Sequence, residues 1–231
     1  MAKTPIKAII WDLDGTLIHF SIDFIKARRN VIALLKKKGI PKKQLSIKKP
    51  ILENVRISKE IFEKQGYSDE NIETIIKEVD DTVIRIEYEA ANKATMIEGI
   101  DAVLEFAGVN NLKQAIFTFN TSENAQISLQ TVNLLHFFEC IIGRNNIVNP
   151  KPHPDHLLLI CEKLSVDPEE VLVIGDTGRD IEAALNVNAH SIGINTKISK
   201  YTKKESFMKA DKIIQPHEIP DALIQALREL L

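Results

Sequence analysis

Two acidic pairs stand where apolar runs end. The first lies in Asp12-Leu13-Asp14-Gly15-Thr16-Leu17, entered directly from the run Ile6–Trp11. Alternation by two at a strand end sets both carboxylates on one side of the chain, and Gly15 permits a sharp turn behind them. The second pair lies in Val173-Ile174-Gly175-Asp176-Thr177-Gly178-Arg179-Asp180. If the two runs are adjacent parallel strands, as many as four carboxylates converge. Two unit charges 4 Å apart repel by about 1 kcal/mol in water and about 4 kcal/mol at an effective dielectric of 20. Such a cluster calls for a cation, and ligands that are all oxygen select Mg²⁺ over zinc or copper. Plainer roles also fit: Asp is common in turns, and Asp180 suits a helix cap.

Two further segments suit the binding of an oxyanion. Thr118 closes another apolar run in Phe117-Thr118-Phe119-Asn120-Thr121-Ser122. Its hydroxyl and the backbone N–H groups of Phe119 and Asn120 precede a helical segment from Glu123, an arrangement that holds anions. Lys151, in Asn149-Pro150-Lys151-Pro152-His153-Pro154, sits between prolines that stiffen its backbone. A lysine held rigidly suits a fixed cation against a phosphoryl oxygen. The alternatives are an N-cap for Thr118 or Ser122 and a solvated lysine.

The elements that must position these residues follow from periodicity. Apolar runs at Ile6–Trp11, Ala115–Phe119, Cys140–Ile142, Val171–Ile174 and Ser191–Ile194 fit strands buried on both faces. Helix-period segments at Gly99–Ala107, Glu123–Leu135, Asp155–Leu164 and Asp180–Val187 alternate with them. This rhythm predicts an α/β fold: a Rossmann-like parallel sheet flanked by helices. In such sheets ligands bind outside the carboxyl ends of the strands, where both acidic pairs fall. Residues from Ile22 to Asn92 break the rhythm with helical patterns alone, at Asp23–Lys38, Ser58–Gln65 and Asp69–Ala91, the last behind a cap at Ser68. The expectation is a core of residues 1–17 and 96–231 with an all-helical domain, 18–95, inserted after the first strand.

Composition excludes several classes. The 231 residues are 44% hydrophobic and 27% charged, with a formal charge of −2, so bulk attraction to nucleic acid or anionic membrane is not expected. The lysines at 36–38, 42–43 and 48–49 lack interleaved aromatics and read as a solvated face. No apolar run approaches the roughly 18 residues of a membrane span, and none fits a signal peptide, so a cytoplasmic location is expected. Cys140 and Cys161 match no zinc or redox spacing and read as buried core thiols. His153 and His156 lack the carboxylate spacing of zinc ligands. Past the first motif, His19, Asp23, Arg28 and Arg29 either reach a substrate or solvate a helix.

Taken together, Asp12-Leu13-Asp14-Gly15-Thr16-Leu17, Thr118, Lys151-Pro152-His153-Pro154-Asp155 and Gly175-Asp176 through Asp180 resemble the haloacid dehalogenase-like hydrolase superfamily. The four segments occur in that family's order, and the helical insertion resembles its cap. Gly143-Arg144-Asn145-Asn146-Ile147 ahead of Lys151-Pro152 looks most like phosphoglycolate phosphatases and their neighbours. The chain departs from that group at Ile18-His19-Phe20-Ser21, at Glu98 before Gly99 and at Asn188, where the family has Gly. Asn tolerates positive φ, so Asn188 is expected to leave the fold intact.

The resemblance implies roles residue by residue. Asp12 would attack phosphorus and form an aspartyl-phosphate, and Asp14 would act as acid and then base. Thr118 and Lys151 would hold the phosphoryl oxygens. Mg²⁺ would be bound by Asp12, the backbone carbonyl of Asp14 and Asp176, with Asp180 as a further carboxylate. The implied substrate is a small phosphorylated metabolite, with no nucleic-acid or membrane partner, and the sequence names no protein partner. Asp14 argues against the family's dehalogenases, which lack an acid there, and its phosphonatases, which carry Ala. Three functions remain: hydrolysis of a small phosphate monoester, a sugar phosphate mutase, or a non-catalytic protein of the same fold.

Overall fold

The computed structural model of the chain describes residues 4–19, 21–196 and 204–231; Phe20, named above, lies outside them. Its contacts divide the chain into two compact units, Met1–Ser21 with Ala91–Leu231, and Ile22–Ala90.

In the first unit six parallel strands form one sheet: β1 (Ala8–Trp11), β2 (Lys113–Phe117), β3 (Cys140–Ile142), β4 (Val171–Gly175), β5 (His190–Ile194) and β6 (Lys212–Ile214). Their order is β3-β2-β1-β4-β5-β6. The chain therefore reverses direction across the sheet between β1 and β4, the point where such folds open a crevice at the strands' carboxyl ends. The condition set for the acidic pairs is met, since β1 and β4 pair in parallel with Trp11 opposite Ile174.

Continuous apolar runs form these strands because alternate residues feed two separate cores. Ile9, Trp11, Ile116, Leu172 and Ile174 point into one, against Ile100, Val103 and Leu104 of α4 (Ile100–Val109) and Leu223 and Leu227 of α9 (Asp221–Arg228). Ala8, Ile10, Phe117, Val171 and Val173 point into the other, against Leu157, Ile160 and Leu164 of α6 (Pro154–Leu164) and Ala183 and Ala184 of α7 (Gly178–Leu185). Trp11 is fully buried and donates its indole N–H to Gln114 Oε1 at 3.1 Å. The Gln114 amide in turn donates to the Leu104 carbonyl.

Several boundaries differ from the expectation, each for a local reason. The second strand ends at Phe117, so Thr118 stands just beyond it instead of closing it. The following helix, α5, spans Ser122–Thr131 and stops short of Leu135. Asn133 turns into the left-handed region there at φ 58°, and the Leu134 N–H returns to the Leu129 carbonyl, a helix stop usually signalled by Gly. Asn188 makes the same kind of stop after α7 at φ 59°, in keeping with its expected tolerance. The strand β6 and the helices α8 (Lys204–Phe207) and α9 went unassigned in the sequence. Cys161 is buried as expected, but Cys140 is only half-buried, because β3 lies at the sheet edge.

The second unit is helical, with α1 (Phe24–Lys37), α2 (Ile51–Lys64) and α3 (Asp69–Ala91) around a core that includes Val31, Leu35, Phe62, Ile72, Ile75 and Val79. Asp23 caps α1 by accepting from the Lys26 N–H, and Ser68 accepts from the Asn71 N–H at the start of α3. Helix α2 begins two turns before the predicted Ser58. Its buried face includes Asn54 and Ser58, which hide the apolar period while bonding locally, Asn54 to Ser46 and Ser58 to the Asn54 carbonyl. Among the described residues no helix is long and apolar enough to cross a membrane.

Candidate active site

Asp12 directly follows β1 and Asp176 directly follows β4, so the strand pairing itself sets these two acids side by side. Asp180 joins them from the first turn of α7. Its Oδ2 accepts from the Thr177 N–H at 2.9 Å and the Thr177 hydroxyl at 2.6 Å, which closes the helix start and fixes the carboxylate. The capping alternative therefore describes a bond that Asp180 makes, and its other oxygen still faces the acids. Oxygens of Asp12, Asp176 and Asp180 all lie within 4.8 Å of one another, and all three residues are buried. Three carboxylates converge, not four: Asp14 stands outside this trio, its Oδ2 at 3.5 Å from the Asn120 amide nitrogen.

Lys151 enters this cluster, only 2% exposed. Its ammonium lies 2.5 Å from Asp12 Oδ1 and 2.6 Å from Asp180 Oδ1, and it donates to the Phe117 carbonyl at 3.0 Å. The Asp180 contact is a close, buried ion pair. Burial by itself would lower the lysine pKa, but Asp12 and Asp180 overcome it and raise the pKa above the ordinary value. A solvated lysine is thus excluded.

With all three carboxylates ionised, one ammonium would leave two negative charges uncompensated. Burial pushes the Asp12 carboxyl well above the usual carboxylate range, against the pull of Lys151. Burial also takes Asp176 up to about 7, although the hydrogen bond from Thr196 opposes it. Asp176 Oδ1 is a buried oxygen with no hydrogen-bond donor, and Asp180 Oδ1 has only the Lys151 ammonium beside it. Buried acceptors in this state are rare and call for an explanation. An oxygen-only donor set with an excess of negative charge fits a hard divalent cation. The backbone leaves room for the acids only because glycine stands twice beside them. A Cβ on Gly15, whose φ is 89°, would sit 2.2 Å from Asp176 Oδ2, and one on Gly175 would sit 2.4 Å from the Asp180 Cβ.

The Thr118 segment is tied down on every side. The Thr118 N–H donates to the Ile142 carbonyl at 3.1 Å, and the Thr118 hydroxyl accepts from the Asn120 N–H at 3.0 Å. That leaves the hydroxyl proton of Thr118 to point elsewhere. Neither Thr118 nor Ser122 is the helix cap; Thr121 is, accepting from the Asn124 N–H. Arg144 clamps the segment through its guanidinium to the Phe119 carbonyl at 2.7 Å and its N–H to the Asn120 carbonyl at 3.0 Å. The Phe119 ring lies 5.8 Å from the Lys151 ammonium and 4.9 Å from the Arg179 guanidinium.

The remaining candidates make local bonds. His19 is exposed and its N–H donates to the Thr95 carbonyl at 2.8 Å. Arg28 belongs to the helical unit, where its guanidinium donates to the Ile47 carbonyl. The sequence reading missed Thr196, Arg144 and His156. Thr196 had a findable signal, as a hydroxyl residue just after an apolar run; the other two are legible only from contacts.

The model of the haloacid dehalogenase-like hydrolase family matches residues 9–194, and the chain belongs to that family. Phosphoglycolate phosphatase of Escherichia coli K12 is 31% identical over 103 residues, covering 45% of this chain and 36% of that protein. The enzyme of Salmonella typhi is 36% identical over 66 residues, 29% of this chain and 26% of that protein. The match thus spans about a third of the length of these relatives. Among solved structures, a β-phosphoglucomutase from Clostridium difficile superposes with a TM-score of 0.66 at 23% identity, covering 96% of each chain. CbbY from Rhodobacter sphaeroides in complex with phosphate gives 0.62 at 18% identity, covering 90% of this chain and 93% of that one. At these identities the two structures speak for the fold.

Proposed function

We propose that the protein is a Mg²⁺-dependent phosphatase that hydrolyses a small phosphate monoester through an aspartyl-phosphate on Asp12. The observation that carries this reading is a buried Asp12 carboxylate, held by Lys151 at 2.5 Å, beside two buried acids, of which Asp176 keeps one oxygen without any donor. When bound among Asp12, Asp176 and Asp180, the cation offsets the repulsion of the carboxylates and polarises the phosphoryl oxygens.

The residues of the chain supply the remaining chemistry. An Asp12 carboxylate oxygen attacks phosphorus, and the bond from phosphorus to the ester oxygen breaks. Asp14, as the carboxylic acid, gives its proton to the leaving alkoxide. Asp14, now the carboxylate, takes a proton from water as that water attacks the acyl phosphate, and inorganic phosphate leaves with Asp12 restored. The Lys151 ammonium and the proton of the Thr118 hydroxyl hold phosphoryl oxygens as charge shifts onto them, with the Phe119 and Asn120 segment presenting its backbone. The two-step path replaces one difficult displacement by two easier ones.

The inserted residues 22–90, together with His19 and Arg28, are assigned to substrate selectivity. This follows from their place in the sequence, directly after the strand that ends in Asp12. A panel of phosphate monoesters incubated with Mg²⁺, read as released phosphate and as isomerised ester, tests the reading and separates hydrolysis from mutase transfer. Absence of phosphate release from every monoester, by protein shown to bind Mg²⁺, would sink it. Replacing residues 22–90 by a Gly/Ser linker should keep slow turnover of p-nitrophenyl phosphate and lose discrimination among metabolites.

A further inference from the structure

His156 is fully buried in the first turn of α6 and makes two hydrogen bonds whose directions fix its protonation. The Lys151 backbone N–H donates to Nδ1 at 3.2 Å, so Nδ1 carries the lone pair. Nε2 lies 2.9 Å from the Ile142 carbonyl, an acceptor, so Nε2 carries the proton. That same carbonyl accepts the Thr118 N–H at 3.1 Å. One ring therefore links the backbone of Lys151 to the backbone of Thr118 through a single carbonyl at the end of β3. Phe117 completes the frame, with the His156 ring against its edge at 5.6 Å and the Lys151 ammonium 4.2 Å from its centroid. Burial holds the imidazole pKa down to about 4, against the hydrogen bond to Ile142, which agrees with a neutral ring.

We propose that His156 is a positioning residue whose neutral, Nε2-protonated ring holds the Lys151 and Thr118 backbones at the spacing needed to grip one phosphoryl group. The function of that spacing rests on the phosphatase reading above; the bridge itself does not. A side chain that only filled space between α6 and β3 would need neither nitrogen. Here each nitrogen has one partner, one being the Lys151 backbone itself and the other the Ile142 carbonyl that also anchors Thr118. Lys151 reaches Asp12 and Asp180 from a backbone that this bond pins. A shift of the loop thus moves the ammonium relative to both.

Two substitutions separate the ends of the bridge. In His156→Asn, the side-chain oxygen overlays Nδ1 and keeps the bond from Lys151. In His156→Gln, the side-chain nitrogen overlays Nε2 and keeps only the bond to Ile142. Misplacement by 1 Å can slow an enzyme about 100-fold, so His156→Gln should lower kcat by on the order of 10-fold or more with KM little changed. His156→Asn, which loses the bond to Ile142 and so frees the Thr118 end, should lower kcat likewise. By NMR, the Lys151 amide should exchange faster with solvent in His156→Gln and remain protected in His156→Asn. The unsubstituted protein should show the neutral Nε2-protonated ring at neutral pH. Equal Lys151 exchange in the two variants, or an Nδ1-protonated or cationic ring in the parent, overturns the bridge, whether or not any monoester is hydrolysed. Parent-like kcat in either variant overturns its role in gripping phosphate.

Discussion

Thr196 donates its hydroxyl to Asp176 Oδ2 across 2.6 Å, which draws the end of β5 into a site otherwise built from β1, β2, β4 and the Lys151 loop. The bond fixes one oxygen of Asp176 and leaves the other, Oδ1, without a donor. Groups that orient a metal ligand typically change affinity by about 10- to 100-fold when removed. Thr196→Val should therefore raise the Mg²⁺ concentration for half-maximal activity by at least about 10-fold, with the fold intact by circular dichroism. An unchanged Mg²⁺ dependence would show that the hydroxyl does not orient the acid.

The raised Asp176 pKa makes a statement about stability in the absence of metal. With the native value up to about 7, mainly from burial, the folded protein keeps a proton that the unfolded chain releases. The stabilisation from this group is complete below the ordinary carboxylate pKa and is lost as pH rises through about 7. At 1.36 kcal/mol per unit the full swing is on the order of 4 kcal/mol. Metal-free protein should lose stability relative to Asp176→Asn between about pH 4 and 7 by urea titration. Taking the difference cancels His156, whose depressed pKa acts in the opposite sense, its stabilisation being lost as pH falls toward about 4. Saturating Mg²⁺ should flatten the slope, because the cation binds the carboxylate form.

Asp12→Asn should abolish turnover, by at least on the order of 1,000-fold, because an amide does not form the acyl phosphate. Folding should survive, since Lys151 keeps Asp180 at 2.6 Å. Beryllium fluoride should bind the parent and not the variant. Substantial activity in cleanly purified Asp12→Asn would exclude the covalent path.

Asp14→Asn should give a different defect. General acid catalysis is worth about 100- to 10,000-fold and matters most where the leaving group is poor. Alkyl phosphates should lose far more rate than p-nitrophenyl phosphate. Equal losses on both would restrict Asp14 to ordering the backbone and Asn120.

Gly15→Ala should damage both fold and metal binding. The φ of 89° is strained for any side chain, and the added carbon would meet Asp176 Oδ2 at 2.2 Å. A destabilisation above about 1 kcal/mol is expected, with weakened Mg²⁺ binding by calorimetry. Parent-like values would mean that the turn relaxes freely.

The acidic ends of β1 and β4 were legible because an apolar run that stops at a carboxylate is a pattern within one stretch of chain. Parallel pairing then needed only the alternation of strands and helices. The length of α2 was not legible, because Asn54 and Ser58 stand where apolar residues mark a buried face, and their bonds to neighbouring backbone satisfy them there. The stop at Asn133 was missed because its residue type only permits the left-handed turn. His156 and Arg144 were invisible as site residues for another reason. Their partners, Ile142 with Lys151 and Phe119 with Asn120, come together only once the sheet order is set.

The indole of Trp11 is the only one in the chain, and it lies sealed in the core of the sheet unit, one residue before Asp12. The helical unit carries Phe24, Phe62, Tyr67 and Tyr88 instead. Emission excited at the red edge of the tryptophan band therefore reports the sheet unit alone. The far-ultraviolet dichroism draws on both units, about half of it from α1, α2 and α3 and half from the helices of the sheet unit. Two optical signals from one cuvette thus follow the sheet unit alone and the two units together. Where their melting curves coincide the units unfold together, and where they part, the temperature gap measures how independently each holds its shape.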